Sequence, residues 1–191
     1  LIVEDSLLGI DTDLADFTKG LLWVDSEIKE VDTTYTMISG KASEIQNHYN
    51  EIAITFLKGD VQFVVFIRVQ DDGYAYRYGI SKVDQSSGEL KVYEEIGTYA
   101  LPAGGELFMM DNADRYDHKF NHEGKYEKVT IESLYDHLRN HELSKNDVQQ
   151  IYVSMPVLVE SNGGLWKLIS EANQYDEDYV GSYLKPISAT D

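Results

Sequence analysis

Two histidines, His137 and His141, stand four residues apart on a stretch with a helical pattern, and that spacing can hold a zinc ion on one helix face. In the H-E-x-x-H signature the glutamate follows the first histidine, whereas here Glu142 follows the second. The pattern therefore gives only slight support to a metal site.

Polar residues also gather just before this stretch, where they could line a sugar-binding site. The cluster consists of Asp114, Asp117, His118, Asn121, His122 and Glu123. A solvated loop in an acidic protein explains the same residues more simply. Neighbouring carboxylates such as Asp71 and Asp72 recur along the chain, and with thirty-four Asp and Glu residues chance accounts for most such pairs.

Signatures of several enzyme classes are missing from the sequence. It contains no G-x-S-x-G, no cysteine, no phosphate-binding G-x-x-x-x-G-K and no dinucleotide fingerprint. Serine and cysteine hydrolases, NTPases and dehydrogenases are therefore unsupported. The fourteen tyrosines could stack on sugar rings, but tyrosines at strand spacing more often pack across a sheet.

Charge excludes further partners. Sixteen Lys and Arg against thirty-four Asp and Glu give a formal charge of −18, which disfavours nucleic acids and anionic membranes because both bind through basic side chains. No apolar run approaches the roughly 20 residues that a membrane-spanning helix needs. We therefore expect no nucleic-acid partner and no membrane span.

Strand patterns dominate the sequence. Apolar residues alternate over 49–57, 61–70 and 74–80, with turns at Lys58-Gly59-Asp60 and Asp71-Asp72-Gly73. This predicts three consecutive antiparallel strands. Because the first two are apolar on both sides, we expect both faces of their sheet to be covered.

The second half of the chain predicts further strands around a long excursion. Strands are expected from Leu90, over 107–110, over 151–160 and over 165–172. The excursion covers about 111–146 and carries one short helix at 131–138, where apolar residues follow the i, i+3, i+4, i+7 spacing. The expected fold class is all-β and antiparallel, in one domain over 1–191.

Five segments, in order, carry a family resemblance. The chain resembles glycoside hydrolase family 97 at 6–10 ("S-x-L-G-L"), 47–51 (a "YNE" strand), 68–78 ("R-x-x-D-D-G-x-A-[FY]-R-[YF]"), 156–175 ("P-L" followed by "I-x-E-A") and 179–184 ("Y-x-G-M-Y-L"). Ser182 stands where the last motif commonly has methionine. Together the segments resemble the N-terminal domain of this family over most of the chain.

The resemblance implies a fold and a role. Domains of this kind are super-sandwiches similar to galactose mutarotases, and they pack on a (β/α)₈ barrel that carries the catalytic acid and its partner. Family members cleave α-glucosides or α-galactosides, with inversion or retention, and use calcium. The resemblance therefore implies an oligosaccharide substrate, a periplasmic or secreted bacterial enzyme, no catalytic residue in this chain, and a domain truncated at both ends.

One residue of this chain is implied as a metal ligand. In the family the glutamate of the "E-A" pair reaches the calcium ion that barrel carboxylates also bind, and Glu171 occupies that position. Strand alternation places Glu171 on the face of Ile169, near the end of the strand that begins at Leu165. Because calcium takes 6–8 oxygen ligands, we expect this chain alone to bind it weakly or not at all.

Two alternatives remain open. One is a free-standing carbohydrate-binding module. The other is a mutarotase-like enzyme that uses His48 and Glu51 as acid and base, although their three-residue separation on a strand points them to opposite faces.

Overall fold

The structure is a computed structural model that describes residues 8–82, 89–101, 103–111, 125–137, 152–161, 163–172 and 181–187. These residues form antiparallel strands with one short helical segment, which confirms the predicted fold class. The strands are β1 (Ile10–Thr12), β2 (Leu22–Thr36), β3 (Glu44–Lys58), β4 (Val61–Val69), β5 (Tyr74–Lys82), β6 (Val92–Glu95), β7 (Glu106–Asp111), β8 (Glu127–Thr130), β9 (Val153–Ser161) and β10 (Leu165–Ile169).

The chain divides into two compact units. The N-terminal unit covers 3–99, and the C-terminal unit covers 100–191 together with 1–2. Each unit has its own buried apolar cluster. Among the described residues, no helix is long and apolar enough to cross a membrane.

The main sheet of the N-terminal unit has the order β2-β3-β4-β5. The predicted meander is confirmed, because β3, β4 and β5 pair consecutively and antiparallel. Gly59 turns the first hairpin with a φ of 63°. Gly73 does not adopt a positive φ, and the second turn is closed by the amide of Gln70, which donates to the carbonyl of Gly73 at 2.8 Å.

Strand β2 was not predicted. It pairs with β3 from Leu22 to Thr36, yet nearly all of its side chains are exposed. A strand at a sheet edge with two solvated faces lacks the apolar alternation that marks a half-buried strand. A second small sheet pairs β1 with β6, and β6 begins at Val92, slightly later than expected.

One face of the main sheet forms the core of the N-terminal unit. Phe17 stacks on Phe63 with ring centroids 4.8 Å apart, and Val61 and Val65 are buried beside them. The opposite face is only half-buried, contrary to the expectation that both faces are covered. There the guanidinium of Arg77 lies 4.2 Å from the ring centroid of Phe66, so a charged side chain shields apolar surface.

The C-terminal unit contains a sheet of order β10-β9-β7-β8. Strands β7, β9 and β10 confirm predicted strands, and alternate residues of β9, such as Val157 and Val159, enter the buried cluster. Strand β8 lies inside the predicted excursion and was missed, because four residues with one buried side chain carry little periodic signal.

A helical segment follows β8 where the sequence predicts a helix. It begins with a 3-10 turn at Ile131–Ser133 and continues as α-helix over 134–137, with Leu134 buried in the cluster. Thr130 caps it, since its hydroxyl accepts the amide of Ser133 at 3.3 Å.

Candidate functional site

Glu171, the implied metal ligand, lies beyond the strand on which it was expected. Strand β10 ends at Ile169, so Glu171 lies two residues outside the sheet. Its carboxylate atom Oε1 accepts two hydrogen bonds from Ser182, one from the amide at 2.7 Å and one from the hydroxyl at 3.0 Å. The orientation of the Glu171 carboxylate is therefore set by Ser182 and not by strand alternation.

Sequence reasoning gave no role to Ser182. The position departs from the family motif, but its hydroxyl donates a hydrogen bond to the carboxylate of Glu171. The half-buried Glu171 also affects Tyr183, whose pKa is raised mainly by burial and further by the negative charge of Glu171. Charge-assisted hydrogen bonds of this kind fix the direction of a carboxylate.

Among the residues that the structure describes, Glu171 could be a single ligand of a metal ion. Within the described ranges, no group of three or more His, Cys, Asp or Glu residues is placed to hold a metal ion. One carboxylate supplies at most two of the 6–8 oxygens that calcium prefers. A calcium ion at Glu171 would therefore need further oxygen ligands besides this carboxylate.

Only half of the histidine pair lies in the part of the chain that the structure describes. Nε2 of the half-buried His137 is 3.3 Å from a carboxylate oxygen of Glu127 on β8. His141 falls outside the described residues, as do Asp114, Asp117, His118, Asn121, His122 and Glu123. Zinc binding and a sugar site in that loop stay untested predictions.

The family motifs at 47–51 and 68–78 meet in one cluster on β3 and β4. Glu51 is 4% exposed. Arg68 donates to Glu51 Oε2 from Nε at 3.2 Å and from Nη2 at 2.8 Å, while Lys29 of β2 lies 2.7 Å from Oε1. The guanidinium of Arg68 also covers the ring of Tyr49 at 3.9 Å from its centroid.

This cluster stabilises the sheet electrostatically. The hydrogen bonds from Lys29 and Arg68 lower the pKa of Glu51, and the Glu51 carboxylate raises the pKa of Lys29. Each contact joins neighbouring strands, so the cluster fixes the register of β2, β3 and β4. Sequence reasoning identified the motifs but not Lys29, which lies on the unpredicted strand.

The acid and base of the mutarotase-like alternative are not brought together. His48 places Nε2 2.9 Å from Glu30, and this contact raises the pKa of His48, whereas Glu51 binds Lys29 and Arg68. Separate partners for the two side chains agree with the predicted opposite orientations.

The tyrosines of β5 pack in the core and also line a surface cleft. Tyr78 packs on Phe63 with centroids 5.3 Å apart, and its hydroxyl accepts the amide of Gly9 at 3.1 Å. Burial raises the pKa of both Tyr76 and Tyr78. Tyr74, Tyr76 and Tyr99 line an apolar cleft of about 230 Å³ together with Leu8 and Ile67.

Comparisons with solved structures show the fold. The chain matches the crystal structure of a beta-arabinopyranosidase with a TM-score of 0.75 and 24% identity, over 98% of this chain and 29% of that one. It also matches a glycoside hydrolase family 97 enzyme from a Pseudoalteromonas strain, solved with panose, with a TM-score of 0.59 and 14% identity over 84% of this chain and 22% of that one.

Comparisons with curated proteins point to the same group. The chain is 29% identical over 157 residues to a "Retaining alpha-galactosidase" of Bacteroides thetaiotaomicron, covering 82% of this chain and 21% of that protein. It is 34% identical over 109 residues to a "Probable retaining alpha-galactosidase" of Streptomyces bingchenggensis, covering 56% of this chain and 16% of the relative. The chain thus spans at most about a fifth of these relatives.

The family model described as "Glycosyl-hydrolase 97 N-terminal" matches residues 1–190, so the chain belongs to the N-terminal domain family of glycosyl hydrolase 97.

Proposed function

We propose that this chain is the non-catalytic N-terminal domain of a longer glycoside hydrolase that cleaves α-galactosides. The family match over 1–190 carries the proposal, and the names of the two curated relatives support the galactoside over the glucoside. The same names favour retention of the anomeric configuration. Because the chain spans so little of those relatives, the activity would belong to the whole polypeptide.

In this proposal the chemistry takes place on a (β/α)₈ barrel of the same polypeptide. The barrel supplies the catalytic acid and the carboxylate nucleophile, whose separation sets the stereochemical outcome. The N-terminal domain packs on the barrel and holds Glu171 toward it. We expect the enzyme to be periplasmic or secreted, where it would meet oligosaccharides outside the cytoplasm. Cell fractionation would test this location.

We propose further that Glu171 is one ligand of a calcium ion shared with the barrel. The carboxylate is half-buried and oriented by two hydrogen bonds from Ser182, which suits a ligand that must be held before the ion arrives. Bound calcium would supply positive charge beside the substrate. The contribution of this chain would be to position one carboxylate.

The test compares two variants of the intact polypeptide. Glu171→Gln removes the charge with little change of shape, while Glu132→Gln is a matched control in the same unit, because Glu132 also accepts a backbone amide, that of Gly104. Calcium is titrated while activity and the thermal unfolding midpoint are measured. The calcium concentration at half-maximal effect should rise at least tenfold for Glu171→Gln and stay unchanged for Glu132→Gln. Equal calcium curves for wild type and Glu171→Gln would remove Glu171 from the site.

The cleft beside Tyr74 favours a second candidate function, oligosaccharide binding by the chain itself. Aromatic rings stack on sugar rings, and the hydroxyl of Tyr76 donates to the carboxylate of Glu95 at 3.1 Å, a polar group of the kind that orients sugars. Calorimetric titration with α-galactosyl oligosaccharides tests it. Binding that Tyr74→Ala abolishes would support this candidate, and no binding at millimolar sugar would reject it.

A further inference from the structure

Two aromatic and two acidic side chains stand together on one face of the sheet β10-β9-β7-β8. Trp166 of β10 pairs with Glu160 of β9, which pairs in turn with Glu106 of β7. Directly opposite residues of antiparallel strands point to the same face, so these three side chains are neighbours. The ring of Phe108 joins them, because its centroid lies 5.7 Å from that of Trp166. We call Trp166, Phe108, Glu160 and Glu106 the Trp166 platform.

The aromatic part of the platform is open to a ligand. Trp166 is 48% exposed, whereas Val157 and Val159 on the other face of the sheet enter the buried cluster of the unit. Leu168, the next residue of β10 on the platform side, is also exposed. An indole ring offers a broad apolar surface together with one N–H donor. A ligand with a flat apolar side can therefore pack on Trp166.

The acidic part of the platform contains an acceptor without a donor. Glu160 is half-buried, and its carboxylate accepts no hydrogen bond from any residue that the structure describes. Its charge acts on Lys128 through space and helps to raise the pKa of that side chain, which forms its ion pair with Glu106 instead. Because partly buried polar groups normally find partners, Glu160 is available to a ligand that donates hydrogen bonds.

A polar cleft of about 250 Å³ adjoins the two carboxylates. Besides Glu106 and Glu160, its lining includes Thr130, Glu132, Ser161 and three glycines. Ser161 is 8% exposed, and its buried hydroxyl has no hydrogen-bond partner in the described part of the chain. A buried hydroxyl without a partner is costly, and a ligand group that bonds to it recovers the loss. The cleft thus extends the platform with further unused hydrogen-bonding capacity.

We propose that the Trp166 platform and its cleft bind a neutral pyranoside, with the sugar ring on Trp166 and ring hydroxyls donating to Glu160. One side of a pyranose ring presents C–H bonds, which pack on an indole, while the hydroxyls at the ring edge reach a neighbouring carboxylate. The ion pair of Lys128 with Glu106 places both signs of charge beside the site, which disfavours a simple cation or anion. A neutral polyol meets donors and acceptors there at once.

This inference goes beyond the proposed function and does not depend on Glu171 or on calcium. It also differs from the second candidate function, because the cleft beside Tyr74 belongs to the N-terminal unit and the platform to the C-terminal unit. The two sugar sites can therefore be tested separately. Galactosides and glucosides share the apolar ring side and the edge hydroxyls, so the inference holds for either class.

Fluorine NMR of the intact polypeptide labelled with 5-fluorotryptophan tests the proposal. Trp166→Phe and Trp23→Phe identify the resonances of the two tryptophans of this chain, and Trp23, which is 60% exposed and lies in the other unit, is the matched control. The probes are methyl 1-thio-α-galactopyranoside and methyl 1-thio-α-glucopyranoside, because a sulfur linkage resists hydrolysis. We expect at least one sugar to shift the Trp166 resonance saturably at millimolar concentration and to leave the Trp23 resonance in place. In Glu160→Gln the half-saturating concentration should rise about tenfold.

Several results would overturn the proposal. A Trp166 resonance that neither sugar shifts at tens of millimolar would show that the platform binds no pyranoside or is covered by another part of the polypeptide. Equal shifts of the Trp166 and Trp23 resonances would reveal a general effect of sugar on exposed indoles. An unchanged half-saturating concentration in Glu160→Gln would remove the carboxylate from the site. A Trp166 shift that Tyr74→Ala abolishes would assign the sugar to the cleft of the N-terminal unit.

Discussion

Removal of Arg68 tests whether the ionic cluster on β3 and β4 stabilises the N-terminal unit. In Arg68→Ala the buried carboxylate of Glu51 loses two hydrogen bonds and keeps Lys29. Loss of a charged hydrogen-bond partner costs about 1.5–3 kcal/mol. The lost contact with the ring of Tyr49 adds about 0.5–1 kcal/mol. Since the side chain of Arg68 is 41% exposed, water can replace part of the loss, and we expect about 2 kcal/mol in total.

Urea denaturation followed by far-UV circular dichroism measures this change. With a slope of about 2 kcal/mol per molar urea, the unfolding midpoint should fall by about 1 M. Arg77→Ala is the matched control, because Arg77 also covers an aromatic ring, that of Phe66, and forms no ion pair among the described residues. It should cost about 0.5–1 kcal/mol. Equal midpoint shifts for the two variants would refute the claim that the buried Glu51 carboxylate sets the cost.

Three further predictions address packing, pH dependence and catalysis. A Cβ at Gly9 would stand 2.8 Å from the carbonyl oxygen of Phe17, so Gly9→Ala should lower the free energy of unfolding by about 1–3 kcal/mol, whereas Gly73→Ala, which meets nothing within 4 Å, should be near neutral in the same urea assay. Because the folded-state pKa of Glu51 is lowered from 4.5, its stabilisation is complete above that pH and is lost as the pH falls through the folded pKa. Urea midpoints measured from pH 6 to pH 3 should therefore decline less steeply for Glu51→Gln than for wild type, and parallel curves would contradict this assignment. The 191-residue chain alone should not hydrolyse aryl α-galactosides or α-glucosides; turnover that a substitution within the chain abolishes would disprove the non-catalytic role.

The sequence predicted those strands that bury one side. Every second side chain of β3, β4 and β5 faces the core. The tight turns between these strands allow only the pairing of consecutive neighbours. Strand β2 escaped prediction because its side chains are solvated and its pairing is set by β3. Periodicity reports burial and not hydrogen bonding, so an exposed strand gives little signal.

The family resemblance predicted which residue is the candidate ligand but not the contacts that orient it. Family motifs singled out Glu171, but the hydrogen bonds from Ser182 join residues eleven positions apart beyond a strand end, where alternation no longer applies. Likewise the motifs contained Glu51 and Arg68, yet the second cation, Lys29, could be found only once β2 was known. Long-range contacts of this kind follow from pairing between strands, which the sequence of one segment does not encode.

The edge position of β2 has a consequence for self-association. A fifteen-residue strand at the margin of a sheet, with one row of backbone amides and carbonyls unpaired by its own sheet, is a template for adding a strand from another molecule. Along β2, Asp25, Glu27, Glu30 and Asp32 interrupt the apolar residues. Two such edges brought together would place like charges side by side in a chain that is already strongly anionic. The charged residues that interrupt the apolar alternation of β2 thus also oppose edge-to-edge pairing of two such domains.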